Sequence, residues 1–212
     1  MAYSCLTAGA FGPGPFKLEA EMKAILNLAK SIGGARVAGL TTAALLLGAS
    51  APALAALPVG AQAPDFKTQA ALAGDTSTFN LKEALKNGPV VLYFFPAAFT
   101  SGCTQEAHEF AEASDEFAKL HATIIGVTAG NVDRVAEFSK VECRNKFRVA
   151  ADPGAKIAAQ YESQMQGNPL LSDRTSYVIA PDGKILLSYT DKDPHAHIEQ
   201  TLAATKAWVA SH

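Results

Sequence analysis

The sequence predicts an α/β domain with a mixed central sheet and helices on both faces, and three features lead to this prediction. Two strand-like runs, at 90–95 and 123–129, flank a helical pattern and so form a strand–helix–strand unit with parallel strands. Two more strand-like runs flank Asp182 and Gly183, a dipeptide typical of hairpin turns. An amphipathic helix at 194–211 ends the chain. These parts predict a sheet with a parallel centre and an antiparallel hairpin at one edge.

The composition of each central segment supports this arrangement. The run "VVLYFF" at 90–95 consists of β-branched and aromatic residues, as is typical of a strand buried on both faces, and "TIIGVTA" at 123–129 is similar. Between them, residues 101–122 have helical spacing, with apolar positions on one side and acidic ones on the other. A second helix is expected at 131–142.

Two helices are predicted in the later part of the chain. Asp152 and Pro153 predict the start of a short helix, with the aspartate as its cap and the proline in its first turn. The final helix is expected to bury one side. The residues of that side are Ile198, Leu202, Thr205, Ala207 and Val209.

Composition limits the classes of function. The chain has 212 residues, of which 49% are hydrophobic and 18% are charged, as expected of one soluble globular domain. Its formal net charge of -2 gives no reason to expect a nucleic-acid partner. Three cysteines are too few for a fold held together by disulfides, so each cysteine needs a separate explanation.

The first 55 residues have the anatomy of a secretory signal peptide. Basic residues follow Met22, residues 37–49 are uncharged and largely apolar, and Ala53 and Ala55 are the small residues that a signal peptidase reads. We therefore expect translation to start at Met22 and cleavage to follow Ala55. The mature chain is expected in the periplasm, without stable membrane association.

This interpretation divides the chain into an N-terminal extension with its signal peptide, 1–55, and one functional domain, 56–212. An uncleaved membrane anchor is the alternative, because no charged residue occurs from Val37 to Pro64. Pro52 and Pro58 argue against a long spanning helix in that stretch.

Cys103 lies where the first central strand gives way to its helix, at the edge of the sheet where open α/β folds bind ligands. Unpaired N–H groups and the helix dipole favour an anion in a first helical turn, so a thiol there should ionise more readily and act as a nucleophile. Gly102 would let a small substrate approach the backbone. The alternative is a buried packing cysteine. The nearby Pro96 and Thr100 favour chemistry, because packing requires neither of them.

Pro96, Thr100 and Cys103 form the pattern P-x-x-x-T-x-x-C, which resembles the active-site signature of peroxiredoxins, thiol peroxidases with a thioredoxin-like fold. The segment "VGAQAPDF" at 59–66 resembles the opening segment of that family, and "RTSYVIAPDGKI" at 174–185 resembles its later strand pair. The resemblance extends over residues 58 to 210. It is greatest to the bacterioferritin-comigratory, or Q-type, subfamily.

The resemblance implies a role for each residue of the motif. Cys103 would be the peroxidatic cysteine, which attacks one peroxide oxygen and becomes a sulfenic acid. Thr100 would hydrogen-bond the thiolate and then the peroxide. Pro96 would end the strand and limit the access of water to the sulfur. The resemblance implies no cofactor and no metal.

Two charged residues would complete such a site. Arg174 would keep the thiolate charged and stabilise the negative charge that develops on oxygen; its alternative is a surface pair with Asp173. Glu106 lies three residues after Cys103, about 60° away around the helix. In the family an acid or amide there orients the arginine, whereas the alternative for Glu106 is a solvated helix glutamate.

The reaction of such a site also needs a second thiol, and the chain differs here from the plant-type members. Plant-type members carry a cysteine five residues after the first, where this chain has His108. About 140° of helix rotation separates those positions, so we expect His108 to point away from the sulfur, as a surface residue. Cys143 is the candidate resolving cysteine, and the alternative is an inert buried thiol.

The remaining alternatives concern the class of protein. A disulfide oxidoreductase of the same fold would need two cysteines two residues apart, which 100–106 does not contain. The other two alternatives are a holdase chaperone and a one-cysteine peroxidase that is resolved by an external thiol. The expected partners are a hydroperoxide and a thioredoxin-like or other thiol reductant, and the expected state is a monomer or small homo-oligomer. His195 and His197 lack a clear third ligand for a metal.

Overall fold

A computed structural model of the protein describes residues 56–212. The predicted signal peptide, its cleavage site and the start at Met22 all lie outside the described residues. The boundary between residues 55 and 56 therefore stays a prediction. Among the described residues, no helix is long and apolar enough to cross a membrane.

Nine strands and five α-helices build the described part of the chain. The strands are β1 Lys67–Leu72, β2 Asp75–Asn80, β3 Val90–Ala97, β4 Thr123–Gly130, β5 Arg148–Ala151, β6 Gln164–Met165, β7 Asn168–Ser172, β8 Thr175–Ile179 and β9 Ile185–Thr190. The helices are α1 Leu81–Ala84, α2 Ser101–Lys119, α3 Val135–Val141, α4 Lys156–Gln160 and α5 Pro194–Ala210.

The main sheet has seven strands in the order β2-β1-β5-β4-β3-β8-β9. Strands β3, β4 and β5 are parallel, and β8 adds to β3 in the antiparallel direction and continues into the hairpin with β9. The predicted mixed α/β sheet is confirmed. Two hairpins, β1–β2 and β6–β7, were not predicted, because their exposed, polar segments lack the apolar runs that identify buried strands.

Side chains of β3 alternate between two apolar cores, one on each face of the sheet. Leu92 and Phe94 belong to the core that contains Tyr161 and Tyr177. Val91, Tyr93 and Phe95 belong to the core on the other face. That second core also contains both Cys103 and Cys143, so the sheet places the two thiols on the same side.

Two predicted helix boundaries or faces need correction. The short helix α4 begins at Lys156, because the carboxylate of Asp152 accepts hydrogen bonds from the N–H groups of Ile157 and Ala158 at 2.9–3.0 Å and thus caps a later turn than expected. On α5, Ala207 is exposed and the buried side includes polar residues. The buried residues of α5 are His197, Ile198, Thr201 and Thr205.

Candidate active site

Cys103 occupies the first turn of α2, and it is almost completely buried. Thr100 is the residue before the helix, with an extended backbone at φ -87° and ψ 152°. The first bond of the helix runs from the N–H of Thr104 to the carbonyl of Thr100 at 2.8 Å. The earlier N–H groups of the turn have no acceptor within the helix, so this end of α2 favours a negative charge on the sulfur.

The hydroxyl of Thr100 donates to the carbonyl of Ala97 at 3.1 Å rather than to Cys103. A bond from Thr100 to the thiolate therefore requires a rotation of this exposed side chain. Pro96 is half-buried. It was expected to end β3, but the strand continues through Ala97, so this expectation is wrong. The pairing of β3 with β8 stops at Phe94, so the missing N–H of Pro96 falls beyond that antiparallel ladder.

Arg174, directly before β8, brings its guanidinium to the sulfur. Its Nη2 atom donates to Sγ of Cys103 at 3.8 Å, and its Nη1 atom donates to Glu106. Burial opposes the charge, but the neighbouring Glu106 and Cys103 outweigh burial and raise the pKa of Arg174. The alternative of a surface ion pair with Asp173 is wrong, because Arg174 is buried and its guanidinium pairs with Glu106. The Asp173 carboxylate accepts instead from the backbone N–H of Arg174 at 2.9 Å.

Glu106 lies one helical turn after Cys103, and its side chain is fully buried. The alternative of a solvated glutamate is therefore wrong. Burial raises the pKa of Glu106 to about 8, even though Arg174 favours the carboxylate. Its Oε2 atom accepts from Arg174, whereas Oε1 has no hydrogen-bond partner among the described residues.

The arginine can reach the sulfur because position 102 carries no side chain. A Cβ atom at Gly102 would lie 3.0 Å from Nη2 of Arg174. The sequence suggested that this glycine makes room for the substrate; the structure gives it the further task of making room for the guanidinium. Cys103 and Glu106 therefore form one buried cluster around the guanidinium of Arg174 at the amino end of α2.

Residues 59–188 match the AhpC/TSA family, a region that contains the whole cluster. The chain belongs to this family of peroxiredoxins. The sequence-based resemblance is thereby confirmed, including the thioredoxin-like fold, and peroxiredoxins are peroxidases.

Individual relatives agree with the subfamily. A candidate peroxiredoxin of Mycobacterium tuberculosis is 35% identical over 130 residues, which cover 60% of this chain and 84% of the relative. The chloroplastic peroxiredoxin Q of Populus jackii is 32% identical over 129 residues, or 60% of each chain. The crystal structure of peroxidoxin BcpB from Mycobacterium tuberculosis aligns with a TM-score of 0.65 at 31% identity, covering 71% of this chain and 97% of that one. The resemblance to Q-type peroxiredoxins is confirmed.

A buried histidine behind the cluster was not predicted as part of the peroxiredoxin site. His197 on α5 is fully buried, with Nδ1 2.8 Å from the hydroxyl of Ser176 and Nε2 3.0 Å from the carbonyl of Asp191. Its neighbour His195 is exposed and contacts Glu109 at 2.9 Å instead. The polar residues His197, Thr201 and Thr205 recur every four positions, which was the one sequence signal of their shared buried side.

Cys143 follows α3 and is fully buried in the same apolar core as Cys103. Burial raises the pKa of the Cys143 thiol well above its ordinary value, and the nearby Glu142 acts in the same direction. Cys103 and Cys143 are both free thiols among the described residues. At rest, Cys143 is therefore a protonated, shielded thiol of this peroxiredoxin chain.

Three side-chain contacts, which we call the α2 clamp, fasten the segment around Cys143 to the outer side of α2: one histidine–carboxylate hydrogen bond and two ion pairs. The contacts are His108–Glu142 at 2.6 Å, Glu112–Arg144 at 3.0 Å and Asp115–Lys146 at 3.1 Å. His108 is a partly exposed surface residue, as expected, and it is one member of this set. The helix that carries one cysteine is thus tied to the segment that carries the other.

The described residues 56–212 contain no group of three His, Cys, Asp or Glu side chains arranged to hold a metal ion. His195 contacts Glu109 and Glu199, and His197 contacts Ser176 and a backbone carbonyl. The two histidines therefore serve separate hydrogen-bond networks.

Proposed function

We propose that the chain is a thiol peroxidase that reduces hydrogen peroxide and organic hydroperoxides with Cys103 as the peroxidatic residue. The observation that carries the proposal is the contact of 3.8 Å between Nη2 of Arg174 and Sγ of Cys103, in a first helical turn that itself favours an anion. Burial of a guanidinium costs free energy, and an uncharged packing cysteine would not offset that cost, whereas a thiolate would.

The reaction would proceed by displacement at oxygen. The Cys103 thiolate attacks one peroxide oxygen, so an S–O bond forms while the O–O bond breaks. The leaving hydroxide or alkoxide takes up a proton and becomes water or an alcohol, and Cys103 becomes a sulfenic acid. Arg174 would stabilise both the thiolate and the negative charge that develops on the leaving oxygen.

Cys143 would resolve the sulfenic acid within one chain. Its sulfur attacks the sulfur of Cys103, an S–S bond forms, and the hydroxyl group leaves as water. The shared core of the two cysteines supports this step, as does the absence of a cysteine at position 108. A thioredoxin-like dithiol would then reduce the disulfide. Resolution of a one-cysteine enzyme by an external thiol is the second candidate.

The working protein would begin near Ala56 and act in the periplasm. The support is the sequence of the first 55 residues, with its basic start, apolar stretch and small residues at the cleavage site. N-terminal sequencing of protein from the native cell tests this proposal. A chain that begins at Met1 or Met22 would contradict it.

The peroxidase proposal is tested with Cys103→Ser and Arg174→Lys. The serine variant should fold and lose peroxide consumption, because a hydroxyl is a far poorer nucleophile at neutral pH. Arg174→Lys should also slow the reaction, since it keeps the charge but loses the planar fork. Retention of turnover by Cys103→Ser would refute the assignment. A client-aggregation assay on the same samples distinguishes a holdase, which should not depend on Cys103.

A further inference from the structure

Glu106 and His197 face each other across a gap behind the reactive cysteine. Oε1 of Glu106, which has no hydrogen-bond partner among the described residues, lies 4.0 Å from Nδ1 of His197. Both side chains are fully buried. A polar atom buried without a partner is costly, so this pair of atoms needs a physical explanation.

The contacts of the imidazole fix where its hydrogen lies. Nε2 of His197 faces the carbonyl of Asp191 at 3.0 Å, and a carbonyl accepts, so Nε2 carries the hydrogen. Nδ1 is then an acceptor in the neutral ring, and it accepts from the hydroxyl of Ser176 at 2.8 Å. Burial lowers the pKa of His197, which keeps the ring neutral around pH 7. Nδ1 then has a single lone pair, which the Ser176 hydroxyl occupies and which lies within 4.0 Å of Oε1 of Glu106.

An ionised Glu106 would direct a lone pair of Oε1 at the lone pair of Nδ1. A proton on Oε1 converts this repulsion into a hydrogen bond, after a closing movement of about 1 Å and a rotation of the Ser176 hydroxyl hydrogen away from Nδ1. We propose that His197 is a positioning residue of this site that, with Glu106, holds one proton between Oε1 and Nδ1. The proton stays in the pair throughout the reaction with peroxide.

The proton would determine how strongly Arg174 stabilises the Cys103 thiolate. With the proton in place, Glu106 and His197 together carry no net charge, and the guanidinium is left to stabilise the Cys103 thiolate. Without the proton, the Glu106 carboxylate competes with the thiolate for the same guanidinium, and less thiolate forms. This inference rests on the proposed role of Cys103, and it assigns His197 and Ser176 on β8 to the support of that residue.

Other titratable groups also act on the pair, and the burial of Glu106 outweighs them. Arg174 favours the carboxylate of Glu106, and Glu109 favours its protonated form. Around His197, Asp191 and Asp193 favour its protonation and Arg174 opposes it. The remaining titratable groups near the pair are Tyr93 on β3, Cys103 on α2 and Tyr189 on β9.

The test removes the acceptor and then restores it. His197→Leu should raise the pH midpoint of Cys103 alkylation by about one unit, because Glu106 then loses its proton more easily and competes for Arg174. His197→Gln should stay near the parent midpoint, since its amide can donate to Asp191 and accept from Glu106. In a Glu106→Gln background, position 106 is neutral at every pH, so His197→Leu should produce no shift.

Thr201→Val is the matched control for packing, because Thr201 is fully buried on the same side of α5 and bonds within its own helix. An equal shift from His197→Leu in both backgrounds, or no shift in either, would overturn the proposal. If His197→Leu does not fold, ¹⁵N NMR of the parent replaces it: Nδ1 of His197 should follow the titration of Glu106 near pH 8. That step should be missing in Glu106→Gln, and its presence there would equally overturn the proposal.

Alkylation and NMR are measured without peroxide, so they can fail while Cys103 remains the peroxidatic residue. Loss of turnover in Cys103→Ser would then still support the peroxidase. Conversely, the alkylation and NMR results could support the shared proton while Cys103→Ser keeps its peroxide turnover. The proposal for Glu106 and His197 would then stand, and the peroxidase role of Cys103 would be wrong.

Discussion

The guanidinium of Arg174 packs directly against Gly102: a Cβ atom at position 102 would lie 3.0 Å from Nη2 of the arginine. The guanidinium would have to move by a few tenths of an ångström to relieve such a contact. Because Nη2 is also the atom that contacts Sγ of Cys103, the movement would act directly on the reactive sulfur. A glycine in a motif that is usually described by its proline, threonine and cysteine thus has its own geometric role.

Gly102→Ala should lower the rate of reaction with peroxide by roughly tenfold, because small displacements of a positioning group are costly in rate. The same change should not lower the melting temperature, since alanine favours a helix by about 1 kcal/mol over glycine. Stopped-flow kinetics and thermal unfolding measure the two effects. Ser101→Ala, at an exposed neighbouring position, is the control. An unchanged rate in Gly102→Ala would contradict the steric argument.

Glu106 predicts a pH dependence of stability. Its pKa rises from an ordinary 4.5 to about 8 in the folded protein, because the carboxyl is buried. Between these values the folded protein binds more protons than the unfolded chain, so the free energy of unfolding due to this group falls as the pH rises. Glu106→Gln removes the effect. The variant should therefore gain stability relative to the parent between about pH 5 and about pH 8.

Urea unfolding at several pH values measures this difference. Glu112→Gln, where the side chain is 65% exposed, is the control and should run parallel to the parent. A constant difference between Glu106→Gln and the parent across the range would show that Glu106 is already ionised in the folded protein.

The fold and the primary cluster could be predicted from the sequence, because they depend on local patterns. Apolar runs identify β3 and β4, and a short motif together with one arginine identifies the reactive site. His197 and Ser176 could not be predicted in this way, since a polar residue in a core gives no apolar signal and its partners are distant in sequence. The burial of Glu106 was left open for a similar reason. Helical spacing shows on which side of α2 the residue lies, but not which other elements pack over that side.

The α2 clamp predicts how fast Cys143 can reach Cys103. Exposed ion pairs contribute about 0.2–1 kcal/mol each, so loss of two of them should make local opening about two- to thirtyfold easier. Arg144→Ala combined with Lys146→Ala should therefore speed disulfide formation after a single addition of peroxide, without changing the first oxidation step. Quenched-flow alkylation followed by mass spectrometry resolves the two steps.

The control for the clamp is Lys206→Ala, which removes the exposed pair with Glu116 at 2.8 Å on another side of α2. Disulfide formation should keep its parent rate in that variant. Equal rates in the clamp variant and the parent would mean that the segment around Cys143 opens by a route that does not separate it from α2.

Oxidation should open the structure around both cysteines. A disulfide requires Cα atoms within about 7 Å, and Cys103 lies in the first turn of one helix whereas Cys143 follows the end of another. We therefore expect the start of α2, the end of α3, or both to unwind. The cost should be moderate, because helix ends already lack internal hydrogen-bond partners. Hydrogen exchange of peroxide-treated protein should show faster amide exchange in both regions than in the reduced protein.

Cys143→Ser separates the two candidate routes of resolution. With a thioredoxin-type reductant, the variant should react once with peroxide and then stall or overoxidise, because residues 56–212 then contain no second thiol to form the disulfide. Peroxide-treated parent should yield a linked peptide that joins Cys103 and Cys143. Val141→Ser, at an exposed position of the same segment, controls for the substitution itself and should turn over like the parent. If Cys143→Ser turned over peroxide as fast as the parent protein, Cys143 would be a packing residue and an external thiol would resolve the sulfenic acid.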